Sequence, residues 1–155
     1  MRVRVERIDD GEPEEVVICC REITPEVESV IRKISQIDQH RQVPSFFKGD
    51  DQVYLSLREI LFFETDSERV YAHTSDNAYE VGLRLYELDA MLPGYYVRVS
   101  RSAIVSILHV FSIQKGLTRV NLISFRQSHK EVYGSRMFSQ VLFSKMNERF
   151  LYDIT

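Results

Sequence analysis

Side chains able to act as nucleophiles, metal ligands or proton carriers are few in this chain and poorly spaced for chemistry. The 155 residues include two cysteines and four histidines. Cys19 and Cys20 are adjacent; neighbours on a strand point to opposite faces, so they are poor disulfide partners for each other. No Cys-x-x-Cys occurs, and His40, His73, His109 and His129 lack ligand spacing, which argues against a zinc site. The two cysteines read as members of a half-buried strand. No serine sits in a Gly-x-Ser-x-Gly elbow, and the six glycines form no phosphate-cradling cluster. Glu64, Asp66 and Glu68 bring three carboxylates together, and His73 stands near Asp76. A small enzyme built on Glu64, His73 and Asp76 would lack both a nucleophile and a cofactor motif. These residues therefore read as solvated turn carboxylates and a strand-end histidine. Asp9-Asp10 has the form of a receiver domain's acidic pair, but the unit around it is too short and no acceptor strand follows. The expectation is no catalytic residue, metal, cofactor or small-molecule substrate.

Cations are the remaining resource, and their distribution is uneven. The net charge is -3. Residues 1–40 hold 6 Lys/Arg against 10 Asp/Glu, a net -4; residues 41–94 hold 5 against 10, a net -5; residues 95–155 hold 9 against 3, a net +6. A basic third on an acidic protein is the pattern expected where one face meets phosphates. The hydrophobic fraction of 44% is that of an ordinary folded protein. No apolar run approaches the roughly 20 residues of a membrane span, and the start has no signal-peptide core. A cytoplasmic location is expected.

Two units must position these side chains. In the first, Val3, Val5 and Ile8 suggest a strand, Asp9 to Pro13 a turn, and Val16 to Cys20 a second strand. Thr24-Pro25 reads as N-cap and first helical residue, followed by an apolar stripe of Val27, Val30, Ile31 and Ile34. Residues 38–52 read as a linker. Beyond it, short strands alternate with turns, which predicts an antiparallel sheet. Strands are expected at Val53–Leu57, Ile60–Phe63, Arg69–Thr74, Ala78–Val81, Tyr95–Val99, Ile104–Ile113, Arg119–Phe125 and Lys130–Tyr133. Leu85, Leu88 and Leu92 mark a short helix ended by Pro93-Gly94. Ser135 is expected to cap a closing helix with a stripe of Phe138, Val141, Leu142 and Met146. The division is thus 1–42, a strand-strand-helix extension and linker serving regulation or dimerisation, and 43–155, a mainly β domain.

Four segments in order carry a family resemblance: Ile60-Leu61-Phe62-Phe63-Glu64, Val70-Tyr71-Ala72-His73-Thr74, Tyr96 through Val105, and Val132-Tyr133-Gly134-Ser135-Arg136 before a helix. Residues 44–150 resemble the LytTR DNA-binding family. The resemblance implies an elongated, antiparallel β fold with short helices, preceded here by a small α/β extension. It also implies a sequence-specific transcriptional regulator that lays loops into successive major grooves. Base contacts carried over from the family fall on Arg101 and Arg136, whose guanidinium forks can meet a guanine edge bidentately. A third contact falls in the turn of Ser67, Glu68 and Arg69, at Glu68 or at Arg69 beside it; a carboxylate there can accept from cytosine N4. Ser100, Ser102 and Ser135 are candidates for phosphate hydrogen bonds, which position without specifying. Ser106 stands where the family often has Asn, with loss of a turn-stabilising hydrogen bond expected. Arg98, Arg119, Arg126 and Lys130 read as surface residues, with Arg98 pairing a strand carboxylate. The partners implied are double-stranded DNA with paired repeats, a second copy of the chain on that DNA, and a small membrane-bound regulatory protein. The alternative is a regulatory protein-interaction module of the same fold that does not read DNA itself.

Overall fold

The computed structural model describes residues 2–37, 44–118 and 120–152, to which the structural statements below refer. Helix α1 (Pro25–Ile37) begins as the sequence predicts, with the Thr24 hydroxyl accepting from the Val27 amide at 3.3 Å. Ten strands follow. β1 (Phe46–Lys48) and β2 (Asp51–Val53) form a hairpin whose turn uses Gly49 at φ 61°, a left-handed conformation that glycine adopts without steric cost. β3 (Phe62–Asp66), β4 (Arg69–His73), β5 (Ala78–Val81), β6 (Tyr96–Ser100) and β7 (Ala103–Ser106) complete a seven-stranded antiparallel sheet in the order β2-β1-β5-β4-β3-β7-β6. β8 (Val110–Lys115), β9 (Asn121–Phe125) and β10 (Glu131–Gly134) form a second antiparallel sheet in the order β10-β9-β8.

The core lies where the inward-facing residues of both sheets meet. Phe46, Phe63, Ile104 and Ile107 of the large sheet and its exit corner are almost wholly buried, as are Val110, Ile123 and Val132 of the small one. Each such side chain contributes about 1.5–3 kcal/mol through removal from water. Helix α2 (Leu85–Met91) covers one end with Leu85 and Leu88, its first turn held by the Glu87 carboxylate accepting from the Arg84 amide at 3.4 Å. Helix α3 (Ser139–Asn147) packs on β6 and buries Leu142. The sheets are also joined by stacking of Phe62 on Phe125, centroids 5.2 Å apart.

Several expectations need correction. Residues 2–24 form no strand beyond an isolated bridge between Asp10 and Glu12, so the expected strand-strand-helix extension is a helix preceded by irregular chain. Val3, Val5, Val16 and Val17 are exposed, and so are Cys19 and Cys20, which are not the half-buried strand pair expected. Strand pairing is what would have buried them, and among the described residues they pair with none of the sheet edges. The linker read at 38–52 contains the β1–β2 hairpin, with its part at 38–43 outside the described residues. Tyr54 to Leu57 is not strand: Tyr54 is exposed, and the chain turns into a short 3-10 segment, Leu57–Glu59, capped by Ser56. The single strand expected over Ile104–Ile113 is two strands in different sheets, separated by a corner at residues 107–109. Ser135 precedes the 3-10 segment Arg136–Phe138 without a side-chain cap, and Val141 is exposed rather than part of the closing helix's buried stripe.

Candidate nucleic-acid interface

Strand order and register bring three turns to one rim. β3 ends at Asp66 where β7 begins, with Glu64 opposite Ala103 and the Thr65 amide donating to the Ser102 carbonyl at 2.8 Å. The β3–β4 turn and the β6–β7 turn therefore project side by side. β6 then meets the exit of β10, where the Ser135 amide donates to the Val99 carbonyl at 2.8 Å. That carbonyl is available because β6 and β7 slip register between Arg98 and Ser100, leaving Val99 as the extra residue of a bulge. Gly134 makes the approach close: a Cβ there would sit 3.4 Å from the same carbonyl. Ser100, Arg101, Ser102, Ser135 and Arg136 consequently line one open concavity. Arg101 and Arg136 are both exposed. Among the described residues neither guanidinium makes a hydrogen bond or ion pair.

The β6–β7 turn is internally braced. The Ser102 amide donates to the Ser100 hydroxyl at 3.2 Å, and the two hydroxyls lie 3.3 Å apart. Arg98 donates from Nε to the Ser100 carbonyl at 3.0 Å and from a terminal nitrogen to the Arg101 carbonyl at 2.6 Å. Its expected strand carboxylate is not its partner. Sequence reasoning missed this role because alternation places Arg98 on β6 but cannot show that the bulge curls the turn back over it.

The third turn holds Ser67 and Glu68 at φ 49° and 70°. Two consecutive left-handed residues suit the twist of a tight hairpin but normally select Gly or Asn. Glu68 is exposed at its tip. Arg69 instead lies across the sheet with its guanidinium 3.4 Å from the Glu80 carboxylate. Just behind the turn, burial and the neighbouring Asp66 raise the pKa of Glu64 above the usual carboxylate value.

Two other singled-out sites sit away from the rim. His73 stacks on Phe62 with centroids 4.3 Å apart, and its Nδ1 is 3.2 Å from Lys130 Nζ. Burial, then the Lys130 charge, lower its pKa from 6.5 to about 4. A neutral ring accepting at Nδ1 fits that contact. Lys130 also donates to the Asn77 carbonyl, and Ser128 donates to the Ser75 carbonyl at 2.8 Å, so the β9–β10 turn is tied to the β4–β5 turn. Lys130 is thus a structural tie rather than the solvated residue expected, and His73 faces Lys130 rather than Asp76. Ser106 is wholly buried at the end of β7, and its hydroxyl has no partner among the described residues. Arg126 is exposed, while Arg119 lies outside the described residues.

No group of His, Cys, Asp and Glu that could hold a metal occurs among the described residues, nor is any described helix long and apolar enough to cross a membrane. The LytTr DNA-binding domain family matches residues 50–147. The chain belongs to the LytTR DNA-binding domain family, which makes it a DNA-binding protein rather than an enzyme. It is similar to a protein of Staphylococcus aureus (strain MRSA252) described as an uncharacterized HTH-type transcriptional regulator. Identity is 27% over 115 residues, covering 72% of this chain and 75% of that one. A protein of the same description from the bovine strain RF122/ET3-1 is 26% identical over 80 residues, 52% of this chain and 54% of the other. In fold, the chain is similar to the solved LytTr DNA-binding domain of a Bacillus cereus protein. The TM-score is 0.60 and the identity 17%, with coverage of 73% of this chain and 99% of that one. No two successive α-helices form a helix-turn-helix among the described residues of this chain, since strands separate α1, α2 and α3.

Proposed function

We propose that this protein is a sequence-specific transcriptional regulator that reads major-groove bases of double-stranded DNA through the loop arginines Arg101 and Arg136. The observation that carries the reading is the shared concavity in which both side chains stand exposed and unpaired beside Ser100, Ser102 and Ser135. Free guanidinium forks suit the O6 and N7 acceptors of guanine, and the serine hydroxyls suit phosphate oxygens. Glu68 at the neighbouring turn reads a third position as an acceptor for cytosine N4; Arg69, engaged by Glu80, is the weaker candidate.

Duplexes selected from a random pool would define the site. Arg101→Ala and Arg136→Ala are each expected to weaken specific binding by about 1–3 kcal/mol and to relax preference at one position. Wild-type affinity and selectivity in either variant, with unchanged circular dichroism, would overturn the assignment. Binding should also fall steeply with salt as phosphate-bound counterions are released. A promoter duplex that the full chain fails to hold even at low salt would favour the protein-interaction reading instead.

The same reading places two protomers on paired direct repeats, with the N-terminal unit between them, and control by contact with a small membrane-bound protein rather than by phosphorylation. Exposed Val3, Val5, Val16 and Val17 support a protein-contact role for that unit. Incorporation of phosphate from acetyl phosphate, with a matching change in DNA affinity, would count against contact control.

A further inference from the structure

We propose that Arg98 is a positioning residue for base reading, acting through the main chain of the β6–β7 turn. The proposal rests on the reading of Arg101 as a base contact. One guanidinium grips two successive carbonyls of the turn, Ser100 at 3.0 Å and Arg101 at 2.6 Å. Residue 101 itself carries the side chain that projects into the groove, so whatever fixes its carbonyl fixes the direction of its Cα–Cβ bond. The bulge at Val99 gives such a clamp a purpose. The ladder resumes beyond the bulge with Ser100 opposite Ala103, so a single pair closes the turn while the register behind it shifts between Arg98 and Ser100. The turn is also held by the Thr65 amide donating to the Ser102 carbonyl at 2.8 Å and by the Ser102 amide donating to the Ser100 hydroxyl at 3.2 Å, but among the described residues neither reaches the Arg101 carbonyl. A planar fork with several fixed donors can serve both carbonyls at once, whereas a lysine ammonium is a point donor on a flexible stem. Arg98 also has no carboxylate partner among the described residues, so the clamp is the interaction the structure gives it.

A phosphate contact and a positioning role predict different things. A phosphate-binding arginine lowers affinity uniformly across sequences when removed and reduces the salt slope by about one. A positioning arginine removes discrimination at one base pair and leaves the slope unchanged. The test uses the full chain and the selected duplex, with Arg98→Ala, Arg98→Lys, Arg101→Ala and the Arg98→Ala/Arg101→Ala double variant. Arg98→Ala should lose about tenfold discrimination at the base pair that Arg101→Ala also relaxes. It should cost nothing further in the Arg101→Ala background, and Arg98→Lys should recover part of the loss. Additive losses, a reduced salt slope, or relaxation at a different base pair would overturn the proposal. A second measurement is independent of DNA: backbone 15N order parameters at Arg101 and Ser102 should fall in Arg98→Ala, while those of β3 and β9 hold. Unchanged order in the turn overturns the positioning role. Intact discrimination in Arg101→Ala alone overturns the base-contact reading instead, and the order parameters then still decide whether Arg98 holds the turn.

Discussion

At the scale of single residues, two side chains stand in places that cost stability. Ser106 is the first. The family often has Asn at this position, and the structure buries the Ser106 hydroxyl with no partner among the described residues. A hydroxyl taken from water without a new bond costs about 1–3 kcal/mol, and removing it cancels that cost. Ser106→Ala is therefore expected to be neutral or to stabilise by up to about 1 kcal/mol in urea unfolding. A clear loss of stability would mean that the hydroxyl is bonded after all. Glu68 is the second, a non-glycine residue at φ 70°. Left-handed backbone costs a non-glycine residue about 1 kcal/mol, a cost that the proposed contact of Glu68 with a base would offset. The types and placement of Arg101, Arg136 and the three serines were legible in the sequence because they belong to contiguous strings before or after strands. Arg98 was not, because its role depends on a one-residue slip that alternation does not encode.

At the scale of elements, β3 to β6, α2 and β9 were legible from alternation and turn composition. The boundary between β7 and β8 was not: from Ile104 to Ile113 apolar residues recur with no Gly or Pro, and only the change of partner sheet marks the corner. The N-terminal strands failed for the opposite reason, since alternation describes what a strand would look like but does not say which edge, if any, it pairs with. Contact between the two sheets gives a pH prediction. His73 on β4 faces Lys130 at the approach to β10, and its ring is held neutral down to about 4. Unfolded, the ring takes a proton below about 6.5. Between these values the unfolded state binds more protons, so stability is highest above 6.5 and falls as pH drops toward 4. Glu64, whose pKa is raised, acts with the opposite sign, losing its contribution as pH rises through the folded value. The difference between wild type and His73→Gln isolates the histidine: the variant's stability should fall less between pH 6.5 and 4. Parallel curves over that interval would show that His73 does not titrate between the two states.

At the scale of the whole molecule, the core runs from Phe46 to Leu142, while residues 2–24 form no helix or strand and α1 touches the rest near Phe150 and Leu151. A fragment from Val43 to Thr155 is therefore expected to fold and to bind a single half-site as the full chain does. It should lose cooperative binding to two repeats, because joining two modules raises the effective concentration of the second. Gel-shift titrations on one-repeat and two-repeat duplexes check this, and equal cooperativity in the fragment would remove the N-terminal unit from the interface between protomers. The link between Val99 and Ser135 has a different consequence. It joins the two arginine-bearing loops through main-chain atoms, so replacing Arg101 or Arg136 leaves both its donor and its acceptor in place, whereas a side chain at Gly134 would press on the same carbonyl. On the base-reading proposal, the distance between the two arginines is set like the gap between the teeth of a comb. Substitutions at Arg101 or Arg136 can change which base is read under each tooth, while the number of base pairs between the two stays constant. Recognition sites of such variants would diverge in letters and agree in spacing.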